Sequence, residues 1–177
     1  MPRYVALLRG VNVGPNKRVP MAEWRTLLTG LGYTGVQTLL NSGNAVFDAK
    51  AAPTATIASR IREAILDGLE LDVPVIVKSA AEFQAIVDEN VLAAGCTNDT
   101  RLMVSFGADT RVIAPLAGFQ QYLTPPEAIT VTANALYLWC PNGVLESKVA
   151  AALLGRQGQN VTTRNWATVK KIAALLA

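Results

Sequence analysis

Short apolar runs and amphipathic stretches alternate along the chain. The run YVALLRG (4–10) ends in glycine and reads as a buried strand. PMAEWRTLLTGLG (20–32) opens on proline and closes on glycine, the asymmetry of a helix start and stop. VQTLLNS (36–42) and NAVFDA (44–49) read as strands, and Ser42-Gly43 between them signals a tight hairpin. PTATIASRIREAILDGL (53–69) puts Ile57, Ile61, Ala64, Ile65 and Leu69 on one helix face, and VPVIVKS (73–79) follows as a strand. The order is βαββαβ, the ferredoxin-like arrangement.

The second half predicts the same order. AAEFQAIVDENVL (80–92) is a connecting helix, RLMVSFG (101–107) a strand, and 110–122 weakly helical. AITVTA (128–133) and ALYLWCP (135–141) form a hairpin around Asn134. LESKVAAALLG (145–155) is a helix with a glycine stop, QNVTT (159–163) a short strand, and NWATVKKIAALLA (165–177) a last helix. The fold class expected is α+β: two tandem ferredoxin-like α/β-plait units with extra connecting and C-terminal helices. The first domain is expected at 1–79, a connecting helix and linker at 80–98, and the second domain at 99–177. Strands such as YVALL and ALYLWC are apolar on both faces, so the second face of each sheet is expected to be covered.

Composition narrows the chemistry. Half of the 177 residues are apolar (51%) and 16% are charged, which suits a packed globular chain. No apolar run approaches the ~18 residues of a membrane span, and the first residues lack a signal-peptide pattern. A cytoplasmic protein without a membrane partner is expected. There is no histidine, which excludes His-based acid–base and nucleophilic catalysis. Cys96 and Cys140 have no CxxC spacing and read as small hydrophobes, so no metal is expected.

The net charge of +3 is unevenly spread. In residues 1–25, Arg3, Arg9, Lys17, Arg18 and Arg25 stand against Glu23 alone. Residues 148–177 carry Lys148, Arg156, Arg164, Lys170 and Lys171 and no acid. Both ends are basic and the body is acidic, a distribution that attracts phosphate if the basic regions meet, or that serves solubility if they do not.

Topology brings part of this charge to one place. In βαββαβ the first two strands run in the same direction, so their C-terminal ends share an edge of the sheet. The loop RGVNVGPNKR (9–18) and the hairpin NSGN (41–44) both fall there. They gather Arg9, Asn12, Asn16, Lys17 and Arg18 near Asn41, Ser42 and Asn44. Gly10, Gly14 and Gly43 permit close backbone approach by a ligand. The loop fits neither GxxxxGK[ST] nor GxGxxG, and Pro15 lacks an N–H, so it is not a known phosphate loop; no cofactor is expected. The plainer reading is that these asparagines and glycines are turn formers bonding their own backbone.

The segment YVALLRGVNVGPNKRVPM with NSGNAVF resembles the start of the DUF1697 family, a bacterial family of unknown function. YLWCPNGVLESK and TTRNWATVKKI resemble two further motifs of that family. The resemblance implies a pair of ferredoxin-like domains and no particular activity. It puts Arg9, Gly10, Asn12, Gly14, Ser42, Gly43, Asn44, Arg164, Asn165 and Trp166 on motif positions. Pro15, the run Leu39–Asn41 and Glu146 depart from its pattern, and Ser147 then reads as an N-cap.

The motif TTRNWATVKK (162–171) admits two readings. Thr163 or Asn165 caps the last helix, Trp166 and Val169 face the core, and Arg164 pairs with an acid. Alternatively Arg164, Asn165 and the helix start hold an anion lined by Trp166, and with Arg9, Asn12 and Ser42 surround an interdomain cleft. The function expected is binding of a phosphate-bearing ligand, a nucleotide-like small molecule or RNA, in that cleft. The alternatives are a small metal-independent enzyme acting there and a protein-interaction module forming a homodimer.

Overall fold

The computed structural model describes residues 1–177. The chain packs as two compact units, one of Met1–Phe83 with Ile172–Ala177, the other of Gln84–Lys171. It is a mixed α+β protein with two four-stranded antiparallel sheets and six α-helices. No helix is long and apolar enough to cross a membrane.

The first unit holds strands β1 (Arg3–Leu8), β2 (Thr34–Leu39), β3 (Asn44–Asp48) and β4 (Val75–Ser79) in the order β2-β3-β1-β4. Helix α1 (Met21–Gly30) joins β1 to β2, and α2 (Thr54–Leu69) joins β3 to β4. One face of β1, through Tyr4, Ala6 and Leu8, packs in a core with Trp24 and Leu28 of α1 and Ile57, Ile61 and Ile65 of α2. The four-residue spacing of those isoleucines is what makes α2 a one-sided helix. Each buried isoleucine contributes about 1.5–3 kcal/mol. The alternate residues Val5 and Leu7 are also fully buried, so both faces of the strand are covered, as its uninterrupted apolar run requires. The hairpin joining β2 to β3 is longer than the Ser42-Gly43 turn expected. Four residues, Leu40 to Gly43, form it, because Leu39 already pairs with Asn44.

The second unit begins within α3 (Ala80–Asp88) and holds β5 (Leu102–Gly107), β6 (Ala128–Val131), β7 (Ala135–Trp139) and β8 (Val161–Asn165) in the order β6-β7-β5-β8. Only Thr110–Ile113 of the weakly helical 110–122 is α-helix, here α4; Ala114–Tyr122 is 3-10 helix, where Pro115 removes the N–H that a further α-turn needs. Helix α5 (Lys148–Leu154) starts three residues later than expected. Ser147 sets its start, its Oγ accepting from the Ala150 N–H at 3.1 Å and donating to Glu127 Oε2 at 2.6 Å. The last helix is α6 (Trp166–Leu176).

A repeat invisible to residue matching relates the two units. Lys78, next to last in β4, pairs with Val5 at the third position of β1. Arg164, next to last in β8, pairs with Val104 at the third position of β5. Both cations are buried, at 7% and 6% exposure. Each is followed by a polar residue that turns strand into helix with no loop between. Ser79 Oγ accepts from the Glu82 N–H at 3.2 Å while Glu82 Oε2 accepts from the Ser79 N–H at 2.8 Å, a reciprocal cap. Asn165 Oδ1 accepts from the Thr168 N–H at 2.9 Å.

Tyr137 is fully buried beside Val104 on the Arg164 face of the second sheet, and its hydroxyl donates to Ile86 O at 2.6 Å. Burial, and then the charge of Glu89, push its pKa up from the usual tyrosine value. A raised pKa in the folded state means the unfolded chain loses its phenolic proton first. The stability held by the neutral phenol is present below about pH 10 and is lost as pH rises beyond it. Urea unfolding from pH 8 to 11.5 is expected to show a steeper loss in the wild type than in Tyr137→Phe. Burial also raises Tyr33, so some decline remains in the variant. Equal slopes would contradict the assignment.

Candidate functional site

The loop after β1 enters and leaves through the core. Val11 and Val19 are buried, while residues 13–18 between them are exposed. Asn12 closes this loop at its neck. Its Oδ1 accepts from the Val19 N–H at 2.9 Å, and its Nδ2 donates to Val19 O at 2.9 Å and to Asn41 O at 2.7 Å. Its backbone N–H donates to Lys17 O at 3.1 Å. One carboxamide therefore shuts the loop and ties it to the β2–β3 hairpin. Asn12 sits at φ 57°, a left-handed conformation that asparagine tolerates better than other side-chain-bearing residues.

The hairpin is fixed from below. Asn44 is fully buried, and its Nδ2 donates to Leu39 O at 2.8 Å and to Ser42 Oγ at 2.9 Å. Gly43 has φ +86°, and a Cβ there would meet Leu8 Cβ at 2.6 Å, so only glycine fits. Its carbonyl accepts from the Leu8 N–H at 2.9 Å.

Charge collects at this edge. Lys17 (φ 52°) donates through Nζ to Asp72 O at 3.3 Å. The Arg9 guanidinium is half-buried, its pKa lowered by burial, and the Arg9 N–H donates to Pro74 O at 3.0 Å. Arg62 makes two bonds to Asp72, at 2.6 and 2.9 Å. This pairing, with Lys17 adding to it, holds the Asp72 carboxyl below the usual carboxylate range. Lys17 and Arg62 thus act on the one carboxylate, and Arg9 and Arg18 add charge from the same loop. Asp72 is ionised and hydrogen-bonded, so it is a poor proton acceptor. Held anions, not proton transfer, suit such an edge.

Sequence reading missed Arg62 and Asp72. The signal was available: β4 runs antiparallel to β1, so the chain entering β4 arrives where β1 ends.

The ten candidate residues divide into three groups. Asn12 and Asn44 are spent on the backbone of the loop and hairpin, as the turn-former reading supposes. Arg9, Asn16, Lys17, Asn41 and Ser42 lie at the same edge with part or all of their side chains in solvent. Arg164, Asn165 and Trp166 belong to the second unit. There strand β8 runs two residues beyond the 159–163 expected, because Arg164 pairs with Val104 and Asn165 with Met103. Arg164 lies within the sheet, not at the first turn of the helix. It donates to Thr162 Oγ1 at 2.7 Å and to Thr163 O at 3.0 Å. Burial lowers its pKa, and the guanidinium still stays charged at neutral pH. Asn165 is the helix cap and Trp166 is buried. No group of three or more His, Cys, Asp or Glu side chains is placed to hold a metal ion.

Asn12→Ala removes three side-chain hydrogen bonds and leaves a Cβ in a left-handed conformation without them. A loss of about 2–4 kcal/mol in urea unfolding is expected, with Asn12→Gly closer to the wild type because glycine relieves the backbone cost. A loss under about 0.5 kcal/mol in Asn12→Ala would contradict the clamp.

Comparison with known proteins agrees with this fold. The chain resembles the conserved bacterial protein SP0830 from Streptococcus pneumoniae at 24% identity, over 99% of each chain, with a TM-score of 0.82. Protein BT0572 from Bacteroides thetaiotaomicron aligns over 99% of this chain and 95% of its own at 10% identity, with a TM-score of 0.22. No curated protein matches the sequence significantly. The sequence model of the DUF1697 family, described as a protein of unknown function, matches residues 1–137, which include the clamped loop and hairpin. The chain belongs to the DUF1697 family.

Proposed function

We propose that the edge built from loop 9–19 and hairpin 40–43 binds a phosphate-bearing ligand, a nucleotide-like molecule or RNA. The observation that carries this reading is the Asn12 clamp. A loop fixed at its neck presents Lys17 and Arg18 without a large ordering cost on binding. The exposed Asn16 of the same loop, and Asn41 and Ser42 of the hairpin tied to it, supply neutral polar groups beside that charge, the mixture that phosphate contacts use. The buried Arg164 and Trp166 form no part of this reading. We also infer that each unit is a ferredoxin-like plait, on the support of the shared strand order and all-antiparallel pairing.

The test removes charge without disturbing the clamp. Lys17→Asn keeps a residue that accepts positive φ, and Arg18→Ala truncates an exposed side chain. Binding of a labelled single-stranded RNA is read by anisotropy from 50 to 200 mM salt, and that of nucleotides by thermal shift. The double variant is expected to bind at least about tenfold more weakly, with its RNA salt slope reduced by about 1.4 for two lost contacts. Nucleotide shifts without RNA binding would assign the edge to a small molecule. Wild-type binding of neither ligand, or an unchanged affinity in the variant, would overturn the reading.

A further inference from the structure

The two units differ in the connection that leaves their first strand. In the first, the connection from β1 to α1 is the long loop 9–20, whose Val11 and Val19 are sunk in the core. It meets the connection that leads into β4, through Arg9 N–H to Pro74 O and Lys17 Nζ to Asp72 O. In the second, only Ala108 and Asp109 separate β5 from α4. This two-residue connection holds no counterpart of Val11 and Val19. A cavity of about 310 Å³ lies there.

Its walls have a definite chemistry. Leu116 and Phe119, both at least nine-tenths buried, give it an apolar floor. Gln157 and Asn160, both exposed, bring two carboxamides to its rim. Gln157 Nε2 donates to Tyr122 OH at 3.3 Å, which leaves its carbonyl oxygen to accept from a ligand. Asp109 and Arg111, also on the rim, are paired at 2.8 Å, so the mouth carries little net charge.

We propose that this cavity binds a neutral planar heteroaromatic ring, a nucleobase presented as a nucleoside. The floor takes the ring by burial. The carboxamides match the mixed donors and acceptors of a base edge, which a hydrocarbon would leave unpaired. An anionic head is not favoured, because Arg111 is already matched by Asp109. A volume of about 310 Å³ is at the small end for ligand sites and leaves room for little beyond a nucleoside. The proposal stands apart from the basic edge of the first unit, since nucleosides carry no phosphate.

Titration of the full-length chain with adenosine, guanosine, cytidine and uridine, followed by saturation-transfer NMR, tests it. At least one nucleoside is expected to bind with a millimolar or tighter Kd. Asn160→Trp places a bulky ring at the mouth and should abolish binding. The Gln157→Ala/Asn160→Ala pair, at exposed positions with little effect on folding, should weaken it about tenfold. The Lys17→Asn/Arg18→Ala variant should bind nucleosides as the wild type does, which separates this site from the phosphate edge. The proposal is overturned if no nucleoside binds at millimolar concentration. It is also overturned if the alanine pair binds undiminished, or if benzyl alcohol binds as tightly as any nucleoside.

Discussion

One side chain sets the candidate surface. Asn12 satisfies both the N–H and the carbonyl of Val19 and reaches across to Asn41, so loop and hairpin become one body. Three such hydrogen bonds contribute about 1 kcal/mol each. Ordering the exposed residues 13–18 costs about 1–2 kcal/mol for each backbone. The clamp cannot order the loop alone. The burial of Val11 and Val19 at its two ends adds about 1.5–3 kcal/mol each, and the hydrogen bonds then select the conformation. Core packing at the two ends and the Asn12 clamp together therefore place the basic residues.

The repeat gives this arrangement its contrast. Both sheets end in a strand with a buried cation at its penultimate position and a capping residue after it, Lys78-Ser79 and Arg164-Asn165. Burying an ammonium or a guanidinium is costly without polar partners, and Arg164 finds some in Thr162 and the carbonyl of Thr163. Where the units diverge is the connection leaving the central strand. A long clamped loop makes a basic edge in one, and a two-residue connection leaves a cavity in the other.

Periodicity and punctuation made most of the fold legible. The isoleucines of α2, the glycine after α1 and the apolar run of β1 each have a single sensible reading. Topology also made the meeting of loop 9–18 with hairpin 41–44 legible, since it needs only the crossover between two like-directed strands. Residue type could not tell whether an asparagine is spent or available. Asn12 and Asn16 look alike in sequence, yet one is the clamp and the other is exposed. Arg164 misled for a related reason. Its neighbours Asn165 and Trp166 do mark a helix start, but strand and helix abut there without a loop, so the arginine falls inside the sheet. The Arg62–Asp72 pair escaped because its significance lies in the direction of β4, not in its own sequence.

Asn12 holds the basic loop in place before any ligand arrives. Amide hydrogen exchange at Val19, whose N–H donates to Asn12 Oδ1, reads this most directly. In the wild type the Val19 amide is expected to exchange at least about a hundredfold more slowly than an unstructured amide. In Asn12→Gly that protection should fall while the β1 amides keep theirs. A Val19 amide that exchanges freely in the wild type, or is equally protected in Asn12→Gly, would contradict the account.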